Sequence, residues 1–172
     1  MAKEAMLRIR VARRPCRRFV GLASVLTLAG GVFVGCSGDG PERDDAGTVV
    51  SEGEIHSFDL RVGDCFRDPG EGEVGPVFVV PCDQPHGFEV YYSFDLPDGS
   101  MPEGRAMEDA WVSGCLSEFE PFVGSPFDSS TLDISAIYPT EDTWEGGDRE
   151  VLCSVTPYSG ESMEGSAAGT GI

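Results

Sequence analysis

The residues best suited to chemistry in this 172-residue chain gather between Asp64 and Glu89. His86 precedes Glu89 by three positions, and Asp64 stands upstream; a histidine oriented by a carboxylate is the pattern of a general base. Hydrolysis through an acyl intermediate would need a nucleophile as well. No Gly-x-Ser-x-Gly segment is present, and every cysteine beyond residue 35 has another use. The competing account of His86 is structural. In a Pro85-His86-Gly87 turn beside a disulfide, its ring hydrogen-bonds neighbouring backbone or a carboxylate. No catalytic residue is assigned, and the chain is expected not to be an enzyme. The alternative is a small envelope hydrolase using His86 with Glu89 or Asp64.

Metal chemistry fares no better. His56 and His86 lie 30 positions apart, and Cys65, Cys82, Cys115 and Cys153 are spaced by 17, 33 and 38. Zinc ligands come in close C-x₂₋₄-C pairs. Asp-rich loops could hold Ca²⁺ weakly, but the acids are scattered rather than arranged as an EF-hand loop. No metal and no cofactor are expected. A further group, Tyr138, Trp144 and Arg149, has two readings. The Arg149 guanidinium could stack on the Trp144 indole in a tight turn around Gly146-Gly147-Asp148. Alternatively, Tyr138 and Trp144 form an exposed aromatic patch for a glycan or protein, since Trp, Tyr and Arg dominate interface hot spots. His86, Glu89, Tyr138, Trp144 and Arg149 are the candidate binding residues.

Charge divides the chain. With 12 Lys+Arg against 30 Asp+Glu the net is −18. Residues 1–35 carry seven bases and one acid, and residues 36–172 carry five bases and 29 acids, a net of −24. An acidic surface does not bind phosphate, so nucleic acid is excluded as a partner. The front piece runs from a base-rich stretch into 16 uncharged residues, 19–34, too short for a spanning helix of about 20 apolar residues. Bases, an apolar run and small residues in that order make a secretory signal. Phe33-Val34-Gly35-Cys36 then resembles a bacterial lipobox, in which the cysteine takes a diacylglyceryl group and becomes the new N-terminus. Phe33 stands where such boxes usually have Leu. The alternatives are an uncleaved anchor or an ordinary secretory signal. All three readings place the residues beyond 36 outside the cytoplasm. The first attaches them to the membrane through lipid on Cys36, with palmitate among its acyl chains.

Residues 36–57 are Gly-, Ser- and acid-rich, with too little apolar area to fold, and are expected to form a disordered tether. The −24 part should be repelled by anionic headgroups and stand off the membrane. Residues 159–172 are small and polar and are expected to be a disordered tail. Between them, residues 58–158 hold the four remaining cysteines, an even set in an exported domain, which implies two disulfides. Three pairings exist. Cys65–Cys82 with Cys115–Cys153 is favoured, since the first closes a short excursion between strands and the second ties a helix to the last strand. Each closure contributes roughly 3–4 kcal/mol by the chain-entropy estimate.

The elements that must position these residues follow from pattern. Residues 57–62 alternate polar and apolar, a strand signal, and 77–80, 88–94, 132–138 and 150–156 supply further strands. Ser100 with Glu103 forms a capping-box pattern, followed by Met107, Trp111, Cys115 and Phe119 at four-residue intervals, the stripe of an amphipathic helix ended by Gly124 and Pro126. The fold class expected is α+β: a small, mostly antiparallel sheet of about five strands packed on one main helix.

Taken in order, Gly63-Asp64-Cys65-Phe66, Val80-Pro81-Cys82-Asp83-Gln84-Pro85-His86-Gly87-Phe88-Glu89-Val90-Tyr91, the helical Cys115, Tyr138-Pro139-Thr140 and Trp144-Glu145-Gly146-Gly147-Asp148-Arg149 before Cys153 resemble the extracytoplasmic septum formation domain of actinobacterial envelope proteins. The resemblance spans about residues 60–157. It implies a surface-exposed or lipid-anchored domain linked to division-site biology, and it brings no catalytic residue. The expected function is therefore a binding or scaffolding domain on the outer face of the cell membrane, engaging an envelope protein that an acidic surface would favour as basic.

Overall fold

In the computed structural model, residues 40–68 and 75–172 are described; the signal, Cys36 and the first tether residues lie outside them. The apolar runs of the sequence become strands: β1 (Gly53–His56), β2 (Cys65–Phe66), β3 (Pro76–Val80), β4 (Phe88–Asp95), β5 (Leu132–Ile137) and β6 (Glu150–Pro157). They form one sheet in the order β1-β3-β2-β4-β6-β5, antiparallel at every pairing. The main helix, α1 (Arg105–Val123), joins β4 to β5, and a five-residue helix, α2 (Glu141–Glu145), joins β5 to β6. The α+β class, the antiparallel sheet, the single main helix and both disulfides, Cys65–Cys82 and Cys115–Cys153, are as expected. The sheet has six strands rather than five. Among the described residues no helix is long and apolar enough to cross a membrane.

The central strands are buried on both faces. Toward α1, Tyr91, Val151, Cys153 and Val155 pack against Met107, Cys115, Phe119 and Val123 of the helix stripe. On the opposite face, Val77, Val79, Val90 and Leu152 gather with Phe66. A single helix covers only one of these faces. The second cover is the segment predicted to be a loose tether, with Leu60 just beyond it: Val49 is buried there, and β1 pairs with β3 from Gly53↔Val79 to His56↔Pro76. Residues 40–57 are thus folded, because two-sided burial of β3 and β4 demands a layer that α1 cannot supply.

Two local expectations are also corrected. Residues 57–62 are not a strand; Ser57–Asp59 is a 3-10 turn in which His56 Nδ1 accepts from the Phe58 amide at 3.4 Å. Of the three apolar residues Leu60 alone turns inward while Phe58 and Val62 face water, so the alternation marks a turning loop. Ser100 does not cap α1. Gly104, at φ 50°, interrupts the helical path after Glu103, and the helix starts at Arg105. The C-terminal expectation holds: Gly124 takes φ 87° and its amide donates to Glu120 O at 2.8 Å, a left-handed cap that glycine reaches without strain.

Residues 159–172 are ordered as well, and α1 is one reason. Its last carbonyls have no partner within the helix. The Gly169 and Gly171 amides donate to Phe122 O and Val123 O, both at 2.8 Å. Ala167 is buried against the helix-side core.

Close approach of α1 to the sheet depends on Gly114, where an added Cβ would fall inside the Phe94 ring. Neither the helix, stapled through Cys115, nor the ring can withdraw freely. Gly114→Ala is expected to destabilise the domain by about 1–3 kcal/mol, despite alanine's better helix propensity, as read from urea unfolding midpoints.

Candidate functional site

The predicted site residues fall into two places. Asp64, Cys65, Cys82, His86 and Glu89 meet where β2, the loop after β3 and the start of β4 converge. Tyr138, Trp144 and Arg149 belong to the β5–α2–β6 connection.

Asp64 is only 2% exposed. Its two carboxylate oxygens accept from Arg43 Nη1 at 2.6 Å and Nη2 at 2.7 Å, and one also accepts from the Arg61 amide at 2.9 Å. Arg43 Nη1 donates in addition to Gly47 O at 2.8 Å. The hydrogen-bonded carboxylate holds the guanidinium pKa above its ordinary value, against the opposing effect of burial. This fork-to-fork geometry is the strong form of a charge-assisted pair. It spends Asp64 entirely on structure.

His86 is 1% exposed. Its Nδ1 lies 2.7 Å from Gln84 O. A carbonyl can only accept, so Nδ1 donates to it. Among the described residues Nε2 has no hydrogen-bond partner. The backbone of His86 exchanges two bonds with Met163, N to O at 3.0 Å and back at 2.9 Å. Glu89, 3% exposed, accepts from Ser166 Oγ at 2.6 Å and from the Ala167 amide at 2.7 Å. The Gly165 amide donates to Cys82 O. The loop that carries the histidine and the acid is therefore a clasp for the C-terminal segment.

No hydrogen bond joins His86 to Glu89 or Asp64 among the described residues, and both carboxylates are satisfied elsewhere. The Cys65 and Cys82 sulfurs lie within 4.8 Å of each other and of a Glu89 oxygen. The sulfurs are bonded to one another, so neither is a thiolate able to ligate a metal.

The second group resolves in favour of stacking. The Arg149 Cζ sits 3.7 Å from the Trp144 ring centroid, and Nη1 donates to Trp144 O and Asp148 O. Trp144 is buried and its Nε1 donates to Gly99 O at 3.2 Å. Thr140 caps α2 through the Thr143 amide, and Asp148 accepts from the Glu150 amide at 3.1 Å. Tyr138 remains exposed, without the indole as a neighbour on an open aromatic patch. In the core, Tyr91 donates to Cys115 O at 2.6 Å, and burial pushes its phenol well above the ordinary value.

Sequence reasoning missed Arg43, Met163, Gly165, Ser166 and Ala167, the groups that occupy the site. A faint signal existed for the first. Residues 36–172 contain five arginines and no lysine, so a buried acid among them had few bases to choose from.

The chain is an α+β domain stapled by two disulfides, in which the buried acids Asp64 and Glu89 hold its own terminal segments. The family model for septum formation matches residues 62–170, and the chain belongs to that family. Comparison with curated proteins and with solved structures yields no match.

Two outcomes test these ties. Arg43→Ala leaves the Asp64 charge buried and alone, which should cost about 3 kcal/mol; adding Asp64→Ala should cost less than the sum of the single changes. Double-mutant urea melts measure the coupling. Removing residues 163–172 leaves the Glu89 carboxylate and two helix carbonyls without donors. That should cost at least about 2 kcal/mol and speed amide exchange at 119–123, whereas an unchanged exchange map would show the clasp to be ornamental.

Proposed function

We propose that this septum formation family member is a non-enzymatic, lipid-anchored extracytoplasmic domain that binds or scaffolds an envelope protein during septum formation. One observation carries the reading. Asp64 and Glu89, the carboxylates best placed for catalysis, are buried and saturated by Arg43 and by Ser166 and Ala167, leaving a body whose surplus charge is acidic. Three of the five arginines are themselves paired with acids: Arg43 with Asp64, Arg67 with Glu52 and Arg149 with Asp98. The surplus of 24 negative charges in residues 36–172 suits a basic partner and a salt-sensitive encounter. The lipobox-like Cys36 supports attachment to the outer membrane face by two acyl chains, which hold far more durably than one.

Cross-linking in intact cells followed by capture of the full chain tests this. The expected partner is an envelope protein with a basic face, captured when the cross-linking is done at 0.1 M salt and lost when it is done towards 1 M, as the screening length falls from about 10 to about 3 Å. His86→Ala separates the rival hydrolase: it should lower the melting temperature by several degrees (about 1–2 kcal/mol for a lost buried hydrogen bond), with division phenotype following stability. An unchanged melt with lost function would point to chemistry at the histidine.

A further inference from the structure

From the folded N-terminal segment we infer a membrane-contacting face: the exposed Val50, Phe58 and Val62 dip into the lipid headgroup region, and the domain lies against the bilayer rather than standing off it. The inference rests on lipidation of Cys36.

Chain length sets the geometry. Pro41 is already part of the fold: its backbone lies so close to Gly53 that a Cβ there would collide with it. The Glu42 amide donates to Ser51 Oγ at 2.8 Å, and Arg43 and Val49 form an antiparallel bridge. Only residues 37–40 remain between the lipid site and the domain. Five Cα steps from Cys36 to Pro41 span at most about 18 Å. A domain of this size has a radius of gyration of about 14 Å. The side bearing Pro41 is therefore held near the headgroups.

That side is where exposed apolar residues gather. Val50, Phe58 and Val62 are 52%, 53% and 54% exposed, three of the largest apolar exposures in the described chain. Val50 and Val62 are tied to the segment that begins at Pro41. The Val50 amide donates to Glu42 O at 2.9 Å. Val62 lines a small cleft with Ala46, Gly47 and Thr48, the tip of the hairpin whose Gly47 carbonyl Arg43 holds. Phe58 stacks on His56 just past the end of β1, with 4.7 Å between ring centroids. Arg61 sits between Phe58 and Val62, exposed, with its guanidinium able to meet a phosphate. A tether this short gives the patch a high effective concentration at the interface, so three side chains suffice where they would not hold a free protein.

Six carboxylates lie between residues 42 and 59, so anionic lipid opposes this contact and salt favours it, the reverse of a basic peripheral protein. A second copy of the chain is a poor occupant, because two bodies each bearing this acidic surplus repel.

The test places an indole at the patch. Phe58→Trp, and independently Val62→Trp, are introduced into the lipid-bearing full chain and reconstituted into vesicles with brominated acyl chains. Both positions face water, so the fold tolerates the change. The added emission should be quenched several-fold more strongly than the background from Trp111 and Trp144. Quenching should deepen as salt is raised on phosphatidylglycerol-containing vesicles, and fall when 20 Gly/Ser residues are inserted after Gly40. Emission from both variants matching the soluble Cys36→Ser form, while the lipid-bearing chain still sediments with vesicles, would overturn the face and leave the anchor standing. A chain whose Cys36 carries no lipid when isolated from its own cells would overturn the anchored reading, and this one with it.

Discussion

The fold depends on one buried ion pair. Arg43 and Asp64 meet through two parallel hydrogen bonds, and that contact fastens residues 40–52 over the sheet face that α1 does not reach. Without the pair, Val49 would have no reason to stay over β3, and Val77, Val79 and Leu152 would face water. The pair does not simply add stability, since desolvating two charges offsets much of their attraction. Its effect is to specify position. Asp64, held by a forked donor and by the Arg61 amide, can occupy one place only, and Cys65 follows it into the disulfide.

The same logic repeats at the other terminus. Glu89 faces the C-terminal segment as Asp64 faces the N-terminal one, each a buried carboxylate at a β-strand start satisfied by donors from a distant stretch of chain. The Gly-rich end of the chain then supplies amides to the open carbonyls of α1. Two acids that read as chemistry in the sequence thus act as docking points for segments that read as slack.

This division of labour explains which features were legible. The helix stripe through Met107, Cys115 and Phe119, the strands around Val79, Val90 and Val155, and the disulfide pairing were written in apolar spacing and cysteine number. The terminal segments were not, because each contributes very few core side chains, chiefly Val49 and Ala167, and is held by directional polar bonds that composition does not register. A clue was nonetheless present. Residues 77–80 and 151–153 run apolar without alternation, the mark of strands covered on both sides, and one helix cannot cover two sides. Of the site, the stacking of Arg149 on Trp144 was readable from the tight turn between them, whereas the occupants of Asp64 and Glu89 came from outside every motif.

The order of the two disulfides along the chain carries a further consequence. Cys65 closes with Cys82 and Cys115 with Cys153, so the two loops neither nest nor interleave. In a polypeptide emerging N-terminus first, the earlier couple is complete before either later thiol arrives. Sequential oxidation alone then yields the native connectivity, with no reshuffling required, and each staple matures alongside its own half of the sheet.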